Sequence, residues 1–168
     1  MQRLLPLRFI PIFLLLASSA LAQNNATTLG DISGMYSFTQ EGEFVQLTLD
    51  PAPGPETDLS KPFAVTGFVS RLGTEESDQG KVLDHFIKNG TLEGNKIKFE
   101  TKNIHGVWYE FKGKVERDEK LKPGDEGYIL IKGTLTEHRI SAKGKTSSRE
   151  RELVMKSFPN IDREEPKQ

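Results

Sequence analysis

The sequence predicts an all-β fold: one antiparallel sheet of eight strands, closed into an up-and-down barrel. Apolar and polar side chains alternate with a period of two in eight separate runs, as in half-buried strands. Turn residues separate the runs at regular intervals. Closing such a meander removes its two unpaired edges, which favours a barrel. A two-layer β-sandwich of the same strands is the alternative that the sequence leaves open.

The alternation is clearest between Gly90 and Arg117, and the other strands repeat it. Gly94-Asn95 supplies residues that tolerate positive φ in a two-residue hairpin turn. The apolar face of the sixth strand is predicted to be Val107, Tyr109, Phe111 and Val115. We expect strands over residues 34–39, 43–50, 63–72, 81–90, 96–102, 107–116, 127–139 and 147–158.

Irregular positions can be predicted within several strands. The run Lys88-Asn89-Gly90 indicates a bulge in the fourth strand. Glycines recur within strands, as strongly coiled barrel strands require, at Gly67, Gly90, Gly133 and Gly113. Residues 148–156 also have fair helix propensity, but the regular spacing of the runs favours an eighth strand there.

The first 22 residues have the three parts of a secretory signal peptide. Arg3 and Arg8 precede an apolar run, and Ala20-Leu21-Ala22 places small residues where a signal peptidase reads them. Cleavage is expected after Ala22. A retained membrane anchor is disfavoured, because the apolar run is too short to span a bilayer. The sequence then predicts a flexible lead-in over 23–32, a β-barrel domain over 33–158 and a disordered tail over 159–168.

Composition limits the partners and the location. Without the two leader arginines, 21 basic residues face 24 acidic ones, a net charge of −3 that does not suggest nucleic acid or membrane insertion. The chain has no Cys, so disulfides and thiol chemistry are excluded. A secreted or periplasmic bacterial protein of one domain fits these features.

The order of features resembles the avidin and streptavidin family of small-molecule-binding barrels. Gly34-Met35-Tyr36 resembles that family's opening strand, Thr66-Gly67 its third strand, and Val107-Trp108 with Phe111-Lys112-Gly113 its sixth strand. The resemblance implies an avidin-like or lipocalin-like barrel. Phe38 and Val69 stand where biotin-binding polar residues would lie, and Trp108 is the only Trp, which argues against biotin as ligand.

No catalytic or cofactor motif is present in the sequence, and we assign no catalytic residue, cofactor or metal ligand. Trp108 falls on the charged face of its strand, where it is a candidate interaction residue unless a loop covers it. The candidate residues of a ligand mouth lie toward the end that carries the odd-numbered turns: Arg71, His85, His105 and His138.

A metal site at that end is one hypothesis for the three histidines. Converging imidazoles beside the acidic loop Glu75-Glu76-Asp78 would suit zinc, copper or nickel. The alternative is that they are separate rim residues, and His138 is expected to point outward if Ile129 and Ile131 point inward.

Two functions follow from this sequence. The first is a non-enzymatic module of the cell envelope that binds a small molecule or an envelope protein. The second is a hydrolase or isomerase with a site inside the barrel. The first is favoured, because among the inward positions of the second, fifth and sixth strands only Tyr109 carries an ionisable group.

Overall fold

The structure is a computed structural model of the chain, and it describes residues 32–54, 58, 61–74 and 77–159. The expected signal peptide, most of the expected lead-in, Glu75-Glu76 and residues 160–168 lie outside the described residues. Within the described part, no helix has the length and apolar character needed to cross a membrane.

Eight antiparallel strands follow one another in a single sheet, each paired with its neighbours in sequence. This order confirms the predicted up-and-down arrangement and excludes the two-layer sandwich. The strands are β1 Gly34–Ser37, β2 Phe44–Asp50, β3 Phe63–Leu72, β4 Val82–Glu93, β5 Lys96–Thr101, β6 Val107–Arg117, β7 Ile129–Ile140 and β8 Thr146–Lys156. The helical alternative for residues 148–156 is wrong, since β8 pairs with β7 along its whole length.

Seven of the eight strands differ from their predicted bounds by one to three residues, and two of these ends show the physical reason. β1 stops at Ser37 because Phe38 already belongs to the turn, where its N–H donates to the carbonyl of Glu43 at 3.2 Å. β4 continues to Glu93, which pairs with Lys96 across a tight turn at Gly94, whose φ is 56°.

The predicted bulge in β4 is present. Between the pairs Ile87↔Thr101 and Asn89↔Glu100, β4 advances two residues while β5 advances one. On the other side, β4 advances five residues from Phe86 to Thr91 while β3 advances four. The extra residue therefore belongs to β4, and it inverts which positions of that strand face inward.

Glycines allow the close strand approach that the curl of the sheet requires. A Cβ at Gly67 would lie 1.9 Å from the backbone oxygen of Gln46. Gly113 and Gly133 oppose each other across β6 and β7, and a Cβ at Gly133 would lie 2.2 Å from the oxygen of Lys112. These contacts leave no space for any side chain, which confirms the role predicted for strand glycines.

The sheet curls strongly into a half-barrel. Its two edges meet at one isolated bridge between Tyr36 of β1 and Ser157, just after β8. Beside that bridge, the N–H of Phe158 donates to the carbonyl of Met35 at 2.9 Å. Above this contact β8 does not pair with the described residues of β1.

The concave side of the sheet holds the core, which is filled with bulky side chains. The predicted inward set of β6 is confirmed, because Val107, Tyr109, Phe111 and Val115 are all buried. Trp108 lies outside the core, as predicted. The main buried members from the other strands are Tyr36, Val45, Leu47, Leu49, Val65, Val69, Leu92, Ile97, Phe99, Ile131, Leu135 and Met155.

Candidate functional site

The turns that follow β1, β3, β5 and β7 share one end of the half-barrel, as the sequential antiparallel order requires. We call it the upper end. Arg71, near the end of β3, His85, near the start of β4, and Tyr109, near the start of β6, all lie there with their side chains inward. Polar groups thus replace the apolar core at this end.

Arg71 is the central residue of the cluster. Its side chain is buried, although a guanidinium is charged at every physiological pH. Nε donates to the carbonyl of Leu72 at 3.0 Å, Nη2 donates to the hydroxyl of Thr74 at 2.9 Å, and Nη1 donates to the hydroxyl of Tyr109. The guanidinium carbon also lies 5.9 Å from the centre of the Tyr109 ring. All of these partners are neutral.

Among the described residues, no carboxylate lies within 4.0 Å of the Arg71 nitrogens. Glu43 is buried nearby, but its carboxylate accepts from the N–H of Leu72 at 3.1 Å and from the hydroxyl of Thr39. Burying a charge without an ionic partner is costly. The buried guanidinium therefore favours the binding of an anion, which would supply the missing negative charge.

His85 lies beside Arg71 and is 1 % exposed. Its ring packs edge-on against Tyr109, with 5.2 Å between ring centres, and its buried Nδ1 has no hydrogen-bond partner among the residues that the structure describes. Burial lowers the pKa of His85, and the neighbouring Arg71 charge lowers it further. The imidazole is thus neutral at pH 7 and offers one unused ring nitrogen.

Tyr109 completes the cluster. Burial raises its pKa to about 12, although Arg71 acts in the opposite direction. The phenol is therefore protonated at any physiological pH. Its hydroxyl accepts a hydrogen bond from Arg71 and has its own proton to donate.

Asp78 and His105 cover the cluster on the solvent side. Asp78, in the loop after β3, is buried, and its Oδ2 lies 2.7 Å from Nδ1 of the more exposed His105 in the turn after β5. The hydrogen bond with His105 lowers the pKa of Asp78. His105 has a φ of 50°, a conformation that costs a non-glycine residue roughly 1 kcal/mol or more. The hydrogen bond between His105 and Asp78 thus holds the strained turn after β5 against the loop after β3.

The three histidines do not converge, so the metal hypothesis is wrong in its geometry. His138 lies on the outer wall, where its ring stacks on Trp108 with 4.8 Å between centres. Its Nδ1 lies 2.8 Å from the hydroxyl of Ser148, and its Nε2 lies 3.4 Å from the carboxylate of Glu110. No group of three or more His, Cys, Asp or Glu side chains suited to a metal occurs among the described residues. Arg71, His85 and His105, in contrast, do share the upper end.

The space within the cluster is small. A gap of about 10 Å³ remains between Arg71, His85, Asp78 and His105, room for one water molecule at most. Larger clefts of about 240 and 250 Å³ lie over the strands β4 to β8 and are lined by residues of the charged outer face such as Lys112 and Glu110. The interior is thus closed in this conformation, and a larger ligand requires the rim to move.

Sequence reasoning missed part of this site. It named Arg71, His85 and His105 as mouth residues, but it did not place Arg71 or His85 among the inward ionisable groups. Glu43 was not identified either; its position directly before the inward-facing alternation of β2 gives only a weak signal. Which polar side chains point inward depends on the phase of each strand near turns and bulges. There the alternation of apolar and polar residues does not show which side chains face the core.

A comparison of the chain with protein-family models gives no match, and a comparison with curated protein sequences gives none either. The observed fold supports an eight-stranded curled antiparallel sheet and assigns no family.

Proposed function

We propose that this protein is an exported, non-enzymatic binding module of the cell envelope that captures a small anionic molecule at the upper end of the half-barrel. One observation carries the proposal: Arg71 is a buried guanidinium whose hydrogen-bond partners among the described residues are all neutral. An anion placed there gains a charge-assisted hydrogen bond and neutralises a buried charge.

The surrounding groups define the ligand further. Arg71 supplies charged N–H donors and Tyr109 adds a hydroxyl proton, while the unused His85 Nδ1 is a further donor in the tautomer that protonates it, so a carboxylate or a similar small oxyanion matches this site. The gap of about 10 Å³ excludes a larger group unless the contact between Asp78 and His105 opens. We therefore expect binding to release that contact.

The signal pattern of residues 1–22 supports export to the periplasm or beyond. The resemblance to avidin-like and lipocalin-like barrels supports a ligand at the mouth, since such barrels use one end for binding. The filled core below the cluster supports a shallow site rather than a deep cup.

The test is a titration of the purified protein with acetate, benzoate and inorganic phosphate, followed by NMR of the His85 ring and the Tyr109 amide. We expect saturable shifts with at least one of the anions, lost in Arg71→Gln. Arg117→Gln is the matched control, because Arg117 packs over Tyr128 at the opposite end. Absence of shifts with all three anions, or equal shifts in Arg71→Gln, would refute the proposal.

A hydrolase or isomerase is a second candidate, and one observation favours it. Arg71, His85 and Tyr109 bring a cation, a neutral base and a protonated phenol together in one place. Such convergence is what an acid–base site needs. Turnover of a small ester that is lost in His85→Gln, while anion binding persists, would identify the enzyme instead of the module.

A further inference from the structure

The upper part of β8 is a sheet edge that no other described strand pairs with. β8 pairs with β7 from Thr146 to Lys156, but on its other side the hydrogen bonds and the bridge to β1 involve only Lys156, Ser157 and Phe158 among the described residues. All residues from 146 to 152 are exposed. The backbone N–H and C=O groups on the outer side of this stretch are therefore accessible to a further strand.

The hydrogen bonds near the bridge show which backbone groups face this edge. The N–H groups of Lys156 and Phe158 donate towards β1, to Ser37 Oγ and to the Met35 carbonyl, whereas the N–H of Ser157 donates to Ile129 on the β7 side. The register with β7 continues without a bulge. Along a strand, the backbone N–H and C=O groups of successive residues point alternately to the two neighbouring strands. The groups that point to the free edge therefore belong to Ser148, Glu150, Glu152 and Val154.

Each face of this edge carries a single sign of charge. Arg149 and Arg151 share the inner face with buried Met155, whereas Glu150 and Glu152 lie on the outer face. Neither arginine has an ion-pair partner within 4.0 Å in the part of the chain that the structure describes. The strand thus presents two free cations on one side and two carboxylates on the other.

This pattern disfavours a second copy of the chain as the occupant. Two β8 edges pair antiparallel about a twofold axis perpendicular to the sheet, so that inner faces stay together. Arginine then never lies opposite glutamate. In the registers that bring the charged residues together, arginine meets arginine, glutamate meets glutamate, or both, which is destabilising. A strand whose acidic residues face inward and whose basic residues face outward meets an opposite charge at each position instead.

We infer that the upper edge of β8 is a strand-addition site for an extended segment of a partner protein in which acidic and basic residues alternate. Main-chain hydrogen bonds to Ser148, Glu150 and Glu152 supply the attachment, and the two charged faces set the register. The site uses the backbone edge of β8 and none of the side chains of the Arg71 cluster, and it does not depend on the anion-binding function.

The probe is the capped peptide Thr-Val-Lys-Glu-Lys-Glu-Val-Thr, which places Lys opposite Glu152 and Glu150, and Glu opposite Arg151 and Arg149, in an antiparallel pair. Binding to the purified protein is measured by fluorescence anisotropy. The control peptide has the same composition in the order Thr-Val-Lys-Lys-Glu-Glu-Val-Thr. We expect it to bind at least about fivefold more weakly, because half of its charges then face like charges.

Two N-methylated peptides separate strand addition from plain charge attraction, and they require no change to the protein. In the antiparallel pair the amides of the peptide lysines point at β8 and those of its glutamates point away. Methylation of the lysine amides should weaken binding roughly tenfold or more, and methylation of the glutamate amides less than about threefold. Hydrogen exchange of the protein should slow at Glu150 and Glu152 on binding but remain unchanged at Arg151.

The inference is overturned if the alternating peptide does not bind, or if both methylated peptides bind equally. It is also overturned if the control peptide binds as tightly as the alternating one, or if the protein alone forms a dimer whose exchange protection maps to this edge.

Discussion

The substitution Tyr109→Phe tests the energetic state of the buried guanidinium. Phenylalanine keeps the ring, which packs edge-on against Phe38 with 5.5 Å between centres and against His85. It removes only the hydroxyl that accepts a hydrogen bond from Arg71. Any loss of stability therefore reports on the hydrogen bond and not on packing.

The expected loss of stability in Tyr109→Phe follows from the positive charge of the donor, Arg71. Hydrogen bonds to charged groups contribute about 1.5–3 kcal/mol, and Arg71 is left with one fewer acceptor in a buried position. We expect a loss of about 2–3 kcal/mol in the free energy of unfolding. Tyr36→Phe is the matched control: Tyr36 is equally buried, but its hydroxyl donates to the neutral carbonyl of Ile32 at 2.6 Å, so a loss of about 1 kcal/mol is expected.

The measurement is urea unfolding of both variants at pH 7, with the slope of the transition checked for change. A second measurement uses pH. The pKa of Tyr109 rises to about 12 on folding, from an ordinary value of about 10 in the unfolded chain. The folded state then holds the proton more tightly, so this contribution is complete below pH 10 and declines as the pH rises towards 12. Tyr109→Phe should lack that decline. Equal losses in the two variants would refute the account of Arg71 as an uncompensated charge, and an unchanged alkaline slope would refute the raised pKa of the buried Tyr109.

Three further predictions test the fold and the rim, two of them with a control substitution. Gly133→Ala should cost more than about 3 kcal/mol, because its Cβ would lie 2.2 Å from the Lys112 oxygen, whereas Gly144→Ala, with a φ of 74° and open space around it, should cost about 1 kcal/mol in the same urea assay. Phe111→Ala should cost about 3–5 kcal/mol and the exposed Lys112→Ala under about 0.5, and equal effects would mean that the strand phase is wrong. Asp78→Asn should flatten the loss of thermal stability on acidification, because the pKa of Asp78 is lowered on folding and its contribution is present above about pH 4 and declines as the pH falls; an unchanged acid slope would show that the contact with His105 does not stabilise the rim.

The fold was predictable because it follows from the two-residue alternation of apolar and polar side chains and from the turn residues. Both are local features of the sequence. The alternation around Phe99 and Phe111 predicts two half-buried strands, and both residues are buried and stacked with 5.3 Å between ring centres. Gly67 and Gly133 predict close backbone approach, and both lie against a neighbouring strand. Strand ends were less predictable, since hydrogen bonds in the turn decide them, as at Phe38.

The site was predictable only in part, since it depends on contacts between distant strands. Arg71 and Tyr109 are 38 positions apart, and no pattern in either strand shows that they meet. The shared end of the odd-numbered turns did indicate that His105 lies near the loop that holds Asp78, and the two are in contact. The same reasoning grouped His138 with them, although strand alternation places it on the outer wall beside Trp108.

The bulge in β4 links the fold to the site. Below it, Gly90 and Leu92 face the core, at even positions; above it, His85 and Ile87 face inward, at odd positions. Without the extra residue near Asn89, the strand would keep one phase, and His85 would point to solvent whenever Leu92 was buried. The bulge therefore does two things at once. It keeps both apolar parts of β4 on the core, and it turns an imidazole inward beneath Arg71, as bulges do when they redirect a side chain into a site.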